Sequence, residues 1–581
     1  MKMTVNGDSV IADTSKGATV YSLLASQGYR LNAPCGGGGR CGKCRVTIAN
    51  APEPTEAEKR LLSREDLEAG VRLACVTTAR DGMSIRFEQA NAWQANIATA
   101  STSTEYYFQP LVTAKTVTLT EPGLADQRAD LDRLAEALGV DGLTVPVEVL
   151  QDLPSSLRQH GWTVTAVLRG NTLIGLNPER LLGVALDIGT TTLAAYLIDL
   201  CTGEEVAVCS ALNPQKAWGD DVITRADYAK AGGLEALQGA LAGEIDAMIG
   251  RLCLDAGVCR QNVVHAVVAG NTVMMHLFAG VSPEHIAQAP FVPAFASAME
   301  LPAAALGLQI YRHAVVSLLP CVAGYIGADT VAGLLAAGMN EHSEPTLLID
   351  IGTNGEIALA AGGRLYACSA AAGPAFEGAH IRCGMGGVAG AINTVTVDGG
   401  IRFTTIGGRR PKGICGSGLL DLVAGLLDAG AIDDTGRLNR DGAPHWITMD
   451  SEGVVIDGPS GIMLTSRDIR EVQLAKGAVA AGIEVLLAEA GLCAEDVRQV
   501  YLAGGFGSYL DRRSAARIGL IPPVLEGRVA AIGNSAGAGA KAVLLSAVAL
   551  EEAVWLAKST RYVELSARAD FQQAFMEKML F

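Results

Sequence analysis

The chain has 581 residues, a formal net charge of −16 and 13 cysteines. That length predicts three or four domains, and an acidic balance with no basic stretch excludes non-specific nucleic-acid binding, which needs a cationic face. Apolar runs such as Gly477–Leu487 are broken by charge (Glu484) and are too short to span a membrane. The opening MKMTVNGDSV reads as strand and turn rather than as a leader, so the expectation is a cytoplasmic protein whose cysteines do not form disulfides.

In chain order, Met1–Val5, Asn6-Gly7 and Ser9–Ala12 predict a β-hairpin. Thr19–Ser26 predicts a helix with Val20, Leu23 and Leu24 on its apolar face. The loop APCGGGGRCGKC follows, then a strand at Arg45–Ile48, one polar helix over Glu56–Leu67 and a strand over RLACVTTA. Residues 1–89 thus read as a β-grasp-like unit. Residues 90–106, rich in Ala, Ser and Thr without a period, read as a linker. Residues 107–181 predict a small α+β middle domain with strands at Leu111–Leu119 and Thr163–Leu168, one helix at Gln127–Leu138 and no chemical motif. Residues 182–581 alternate apolar strands with Ala/Leu helices, the pattern of an α/β domain. The fold class expected is therefore multidomain α/β and α+β.

Four cysteines have ligand spacing: Cys35-x5-Cys41-x2-Cys44, then thirty residues, then Cys75. A two-iron sulfide cluster needs four thiolates, and the glycines between the first ligands let a loop wrap it closely. Zinc sites usually pair their ligands in two close couples, whereas here three crowd one loop and the fourth stands alone. The expectation is a [2Fe–2S] cluster on Cys35, Cys41, Cys44 and Cys75.

The carboxyl-terminal part holds an internal echo: LDIGTTTLAAYLID and IDIGTNGEIALA, with DIGT cores at Asp187 and Asp350. A repeated strand–turn–strand element suggests two lobes with a cleft between them. Gly189 with Thr190, Thr191 and Thr192, and Gly352 with Thr353 and Asn354, offer backbone amides and side-chain donors to phosphates. Asp187 and Asp350 at the strand ends suit magnesium held through water. Three further strand-to-helix junctions carry Asn271 (AGNT), Gly416 and Ser417 (GICGSG), and Gly504, Gly505 and Phe506 (AGGFG), the last suited to an adenosine lying on the backbone.

The motif order over residues 183–545 resembles the actin–hexokinase–heat-shock chaperone (ASKHA) ATPase superfamily, which implies Mg-ATP between two ribonuclease-H-like lobes. The cysteine spacing and RLACVT resemble ferredoxins of the adrenodoxin-like branch. The combination resembles the reductive activators of corrinoid-dependent methyltransferases. Further stretches that fit are ALNPQKAWGDDVITR, CVAGYIGADTVAG, AAAGPAFEGAHIRCGM and the tail RYVELSARADFQQAFMEKMLF. This resemblance implies ATP-dependent one-electron reduction of cobalt(II) to cobalt(I) on a partner corrinoid protein. It also implies an external low-potential electron donor and a homodimer, and it puts Ser369 near the cobalt. Glu356 and Glu377 read either as nucleotide-site carboxylates or as salt-bridge partners between lobes. Two alternatives stay open: a small-molecule kinase with a redox-sensing ferredoxin module, and an electron-carrier scaffold with a vestigial ATP fold.

Overall fold

The computed structural model describes residues 2–6, 8–11, 18–26, 29, 31, 39, 42–87, 106–507 and 509–581. At the amino end, β1 (Lys2–Val5), β2 (Asp8–Ile11), β3 (Arg45–Ala49), β4 (Val71–Leu73) and β5 (Ser84–Arg86) form one sheet in the order β2-β1-β5-β3-β4. Only β1 and β5 pair in parallel. The helix Val20–Ser26 drives Val20, Leu23 and Leu24 into a core with Val46, Ile48, Leu73 and Ile85, giving the expected β-grasp unit.

Two local expectations are corrected here. The single helix predicted over Glu56–Leu67 is two, Glu56–Leu61 and Arg64–Glu68. Ser63 starts the second through a capping box with Asp66, as Thr55 starts the first with Glu58. The strand predicted over RLACVTTA ends at Leu73, because the amides of Val76 and Thr77 both turn back to the Leu73 carbonyl, at 3.0 and 3.1 Å. Cys75 therefore lies on a turn.

Next, β6 (Val112–Thr118), β7 (Thr163–Arg169) and β8 (Thr172–Leu176) form an antiparallel sheet. The helix Asp130–Leu138 accompanies a second, unexpected helix, Val147–Gln159. Pro154 lies inside this helix, where it removes a backbone hydrogen bond and crowds the preceding turn at a cost of about 3 kcal/mol, yet Val149, Leu153 and Leu157 are buried in a shared core. The linker predicted over 90–106 lies, except for Tyr106, outside the described residues.

The remainder is two lobes of one topology. The first sheet comprises β9 (Leu182–Ile188), β10 (Thr192–Asp199), β11 (Glu205–Leu212), β12 (Val263–Gly270), β13 (Met299–Pro302) and β14 (Val315–Leu318), ordered β11-β10-β9-β12-β14-β13. The second contains β15 (Thr346–Ile351), β16 (Gly355–Ala361) and β17 (Arg364–Ala370). After a small sheet of β18 (Ala391–Val397), β19 (Ile401–Thr405) and β20 (Gly413–Ile414) and a hairpin of β21 (Gly453–Asp457) and β22 (Ile462–Thr465), it is completed by β23 (Gln499–Ala503), β24 (Val529–Gly533) and β25 (Thr560–Tyr562). In each lobe three antiparallel strands are followed by two that add in parallel beside the first, β12 and β14 on β9, β23 and β24 on β15. That is a duplicated ribonuclease-H-like fold, and the two DIGT segments are the equivalent first hairpin turns. Between the lobes the helices Ala328–Ala336 and Ser535–Leu545 pack so closely that a side chain at Gly539 would collide with the Ala332 carbonyl. No helix among the described residues is long and apolar enough to cross a membrane.

Candidate functional site

The turn between β9 and β10 is fixed from behind. Asn213 Nδ2 donates to the Gly189 carbonyl at 2.8 Å, and the Asn213 amide donates to the Thr191 carbonyl at 2.9 Å. Arg225 Nη2 donates to the Thr190 carbonyl at 2.6 Å and Nε to the Gly219 carbonyl at 2.8 Å. Arg225 is fully buried, and burial pulls its guanidinium down to about 10. The stretch Ala211–Arg225, legible in the sequence only as a resemblance, is thus the clamp that shapes the first DIGT turn. Asn271 caps the helix Thr272–Phe278 through the Met274 amide and donates to Thr190 Oγ1 at 2.9 Å.

The second turn, between β15 and β16, closes with the Gly352 amide on the Asn354 carbonyl, 2.9 Å. Glu377, in the turn Pro374–Glu377 after β17, links the two: Thr191 Oγ1 donates to it at 2.8 Å and Thr353 Oγ1 at 3.2 Å. One carboxylate therefore bridges the facing turns of both lobes.

Behind the turns lies a group of half-buried carboxylates. Asn534 caps the helix Ser535–Leu545 and donates to Asp187 Oδ2 at 2.8 Å. Asp350 stands opposite Glu356 in the β15–β16 register, and Glu356 opposite Ser369 in the β16–β17 register. Asp350, Glu356 and Asp329 line one small cavity with Thr330 and Ser535. Burial pushes the Asp187 carboxyl up to about 7 against the Asn534 hydrogen bond, with the Asp329 charge adding to the rise. Burial, then the charges of Asp329 and Asp187, push Asp350 up to about 7. Burial and the neighbouring carboxylates also raise Glu356, and burial raises Asp329. Such a crowd of acids calls for a cation. Among the described residues no three side chains close in as direct metal ligands. Asp329 was missed in the sequence because an acidic residue in a first helical turn is ordinary; its signal was the GADT junction of β-run, glycine and helix.

Of the remaining expected residues, Gly504 is placed against Asp350: its φ is +83° and a side chain there would collide with Asp350 Oδ1. Gly505 and Phe506 continue in the short helix Gly504–Gly507. Thr192 opens β10. Gly416 and Ser417 begin the helix Gly416–Asp428, and the Ser417 hydroxyl donates to the Asn393 carbonyl at 2.8 Å. His276 is buried, facing the Thr272 carbonyl and the Ala294 amide.

At the amino-terminal domain, Cys35 and Cys41 lie outside the described residues. Cys44 and Cys75 are both buried, with their Sγ atoms 3.2 Å apart, beyond disulfide distance. The Ala74 amide donates to the Cys44 carbonyl at 2.9 Å, locking the two segments together. Glu58, only 1% exposed, braces the turn: it accepts from the Leu73 amide at 2.8 Å and from Thr77 Oγ1 at 3.0 Å. Gly39, at φ +67°, passes close over Val76. Two thiols held side by side in a rigid hydrogen-bonded frame fit two ligands of an iron–sulfur cluster.

Comparison with known proteins matches four regions of the chain. Residues 3–80 match the 2Fe-2S iron-sulfur cluster binding domain, 101–181 the RACo linker region, 182–342 the RACo middle region, and 344–581 the C-terminal ASKHA domain of RACo. The chain is 32% identical, over 98% of its length and 97% of the relative's, to the corrinoid activation enzyme RamQ of Eubacterium limosum. It is 28% identical to the [Co(II) methylated amine-specific corrinoid protein] reductase of Methanosarcina barkeri, over 65% of this chain and 72% of that one. Among solved structures, a reductive activator for corrinoid, iron-sulfur protein superposes with a TM-score of 0.76 at 33% identity, covering 100% of this chain and 98% of that chain. With a ferredoxin domain at one end, twin phosphate turns at the other and this similarity along the whole length between them, the chain belongs to the RACo family of corrinoid activators.

Proposed function

We propose that this protein is a cytoplasmic, ATP-dependent reductase that returns the cobalt(II) corrinoid of a methyltransferase partner to cobalt(I). The observation that carries the reading is Glu377, which ties together two facing phosphate turns in a chain that also holds a ferredoxin domain. Relatives named as a corrinoid activation enzyme and as a Co(II) corrinoid protein reductase support it.

In this reading Cys35, Cys41, Cys44 and Cys75 hold the [2Fe–2S] cluster, which supplies a one-electron carrier when bound. Thr190, Thr191, Thr192, Thr353 and Asn354 receive phosphates, Asp187 and Asp350 hold magnesium through water, and Gly504 and Gly505 leave room for adenosine. Glu377 is placed to orient a water at the terminal phosphate. Ser369, on the strand next to Glu356, faces the partner's cobalt. ATP is needed because simple ferredoxin clusters sit at about −400 mV and cobalt(II) in a corrinoid is harder to reduce. A nucleotide that binds one arrangement of the lobes better shifts the population toward it, and a change from 1:99 to 99:1 requires about 10⁴-fold preference.

The test is ATP turnover by the holoprotein, measured with a corrinoid protein poised as cobalt(II) or cobalt(I). Stimulation by the cobalt(II) form alone is expected. Turnover that responds to a small metabolite and ignores the corrinoid protein would replace this reading with that of a kinase.

A further inference from the structure

Among the described residues, Tyr21 and Lys43 hydrogen-bond the ferredoxin domain to the two ATPase lobes, each to a segment that also holds a DIGT turn. Lys43, between two of the cluster cysteines in sequence, donates from Nζ to three backbone carbonyls of the second lobe: Gly378 at 3.2 Å, Ile381 at 3.4 Å and Gly384 at 3.1 Å. That loop begins at Glu377, the residue held by Thr191 and Thr353. On the first lobe, Tyr21 donates its hydroxyl to the Ala217 carbonyl at 2.7 Å. Ala217 lies between Asn213 and Arg225, the two side chains that fix the carbonyls of the first turn. An ammonium ion ringed by three carbonyls is a built seat, because charge-assisted hydrogen bonds are stronger and more directional than neutral ones.

We infer that the ferredoxin domain is a staple across the nucleotide cleft, pinned by Tyr21 to one lobe and by Lys43 to the other, and that nucleotide binding and ferredoxin docking oppose each other. The chemistry is direct. A phosphate entering the turns competes for the Thr191 and Thr353 hydroxyls and repels the Glu377 carboxylate. Displacing Glu377 moves the loop whose next carbonyl is the first of Lys43's acceptors. Rotation of one lobe against the other has the same effect, since two anchors on different lobes fit only one spacing. The docked arrangement thus parks the cluster domain, and nucleotide, by opposing it, releases the domain to reach a partner. Lys43 and Tyr21 are positioning residues for the proposed electron transfer, and the inference rests on that reading only for what the released domain then meets.

Coupling between two binding events is reciprocal, so the staple is measurable from the nucleotide side without any corrinoid protein. The experiment uses the full-length holoprotein, with its visible cluster spectrum as the check that each variant is loaded. Mg-ATP affinity is measured by calorimetry, and overall dimensions by small-angle X-ray scattering with and without nucleotide. Wild type is expected to expand on adding Mg-ATP. Lys43→Met combined with Tyr21→Phe is expected to be expanded already and to bind Mg-ATP about 5-fold or more tightly, within the usual range of coupling between sites. Lys43→Arg keeps a donor at the seat and is expected to recover much of the wild-type behaviour. Unchanged affinity and unchanged dimensions in the double variant would overturn the staple. That outcome, with ATP still driving corrinoid reduction, removes the staple and leaves the proposed function standing; loss of the ATP requirement in wild type removes the proposed function instead.

Discussion

Thr191 Oγ1 lies 2.8 Å from Glu377 Oε2, and through this hydrogen bond the first lobe's phosphate turn is tied to the second lobe. The same carboxylate accepts from Thr353, so it sits between the two turns proposed to receive phosphates. Nucleotide must displace or redirect it. Glu377→Gln removes the negative charge and keeps the shape. The expected outcome is ATP turnover lowered by about 10²-fold, the scale for a lost general base, with Mg-ATP affinity equal or better. Turnover at the wild-type rate would take Glu377 out of the chemistry.

The raised carboxyls of Asp187 and Asp350 make stability depend on pH in a stated direction. Both go from an ordinary 3.8 to about 7 in the folded chain. A raised folded value means the native state holds protons that the unfolded chain has released, so stability is fully present below about 4 and is lost as pH climbs toward 7. Without magnesium, the melting temperature should fall between pH 5 and pH 8. Magnesium should restore more at pH 8 than at pH 5, because it binds the charged forms. Asp350→Asn should flatten the profile; a variant as steep as wild type would assign the slope elsewhere.

Glu58 makes the cluster frame testable apart from its ligands. It is buried and accepts from Thr55, Leu73 and Thr77. Glu58→Leu leaves buried donors without an acceptor, costing about 2–3 kcal/mol. The visible cluster absorbance of this variant should bleach at a lower temperature than that of wild type, while the ATPase lobes melt unchanged. Cys41→Ser should by contrast lose or alter the spectrum from the start.

At Gly504 the backbone sits at φ +83° with Asp350 Oδ1 where a side chain would go. Gly504→Ala should cost about 1–3 kcal/mol from the strained φ and push Asp350 from its place. Mg-ATP should then bind at least about 10-fold more weakly, with the cluster intact. Wild-type affinity would show that the AGGFG turn does not frame the nucleotide.

Much of this was legible in the residues. The DIGT echo announced the duplicated lobes because the same strand–turn–strand element occurs twice, each copy followed by strand-to-helix junctions in the same order. The four cysteines announced the ferredoxin domain by spacing. What was illegible depends on contacts between distant segments. Glu377 and Glu356 could be read as site acids or salt-bridge partners, since nothing local separates the two; only the cross-lobe geometry puts Thr191 and Thr353 on Glu377. Arg225 looked like part of a resemblance, and its work on the Thr190 carbonyl appears only when helix and turn are packed together. Nor does anything local announce that the Ser417 hydroxyl donates to the Asn393 carbonyl of a neighbouring strand. The helix Val147–Gln159 went unread, and it carries Pro154 in its interior, with Val149, Leu153 and Leu157 buried on its inner face.

The central claim is that nucleotide drives an electron from this chain's cluster to a partner's cobalt. The most direct measurement mixes the holoprotein, a low-potential reductant and a corrinoid protein poised as cobalt(II), without oxygen, and follows the cobalt(I) absorption band with and without Mg-ATP. The account predicts a band that grows with Mg-ATP and stays small without it. A band of equal rate and size in the absence of nucleotide would contradict it.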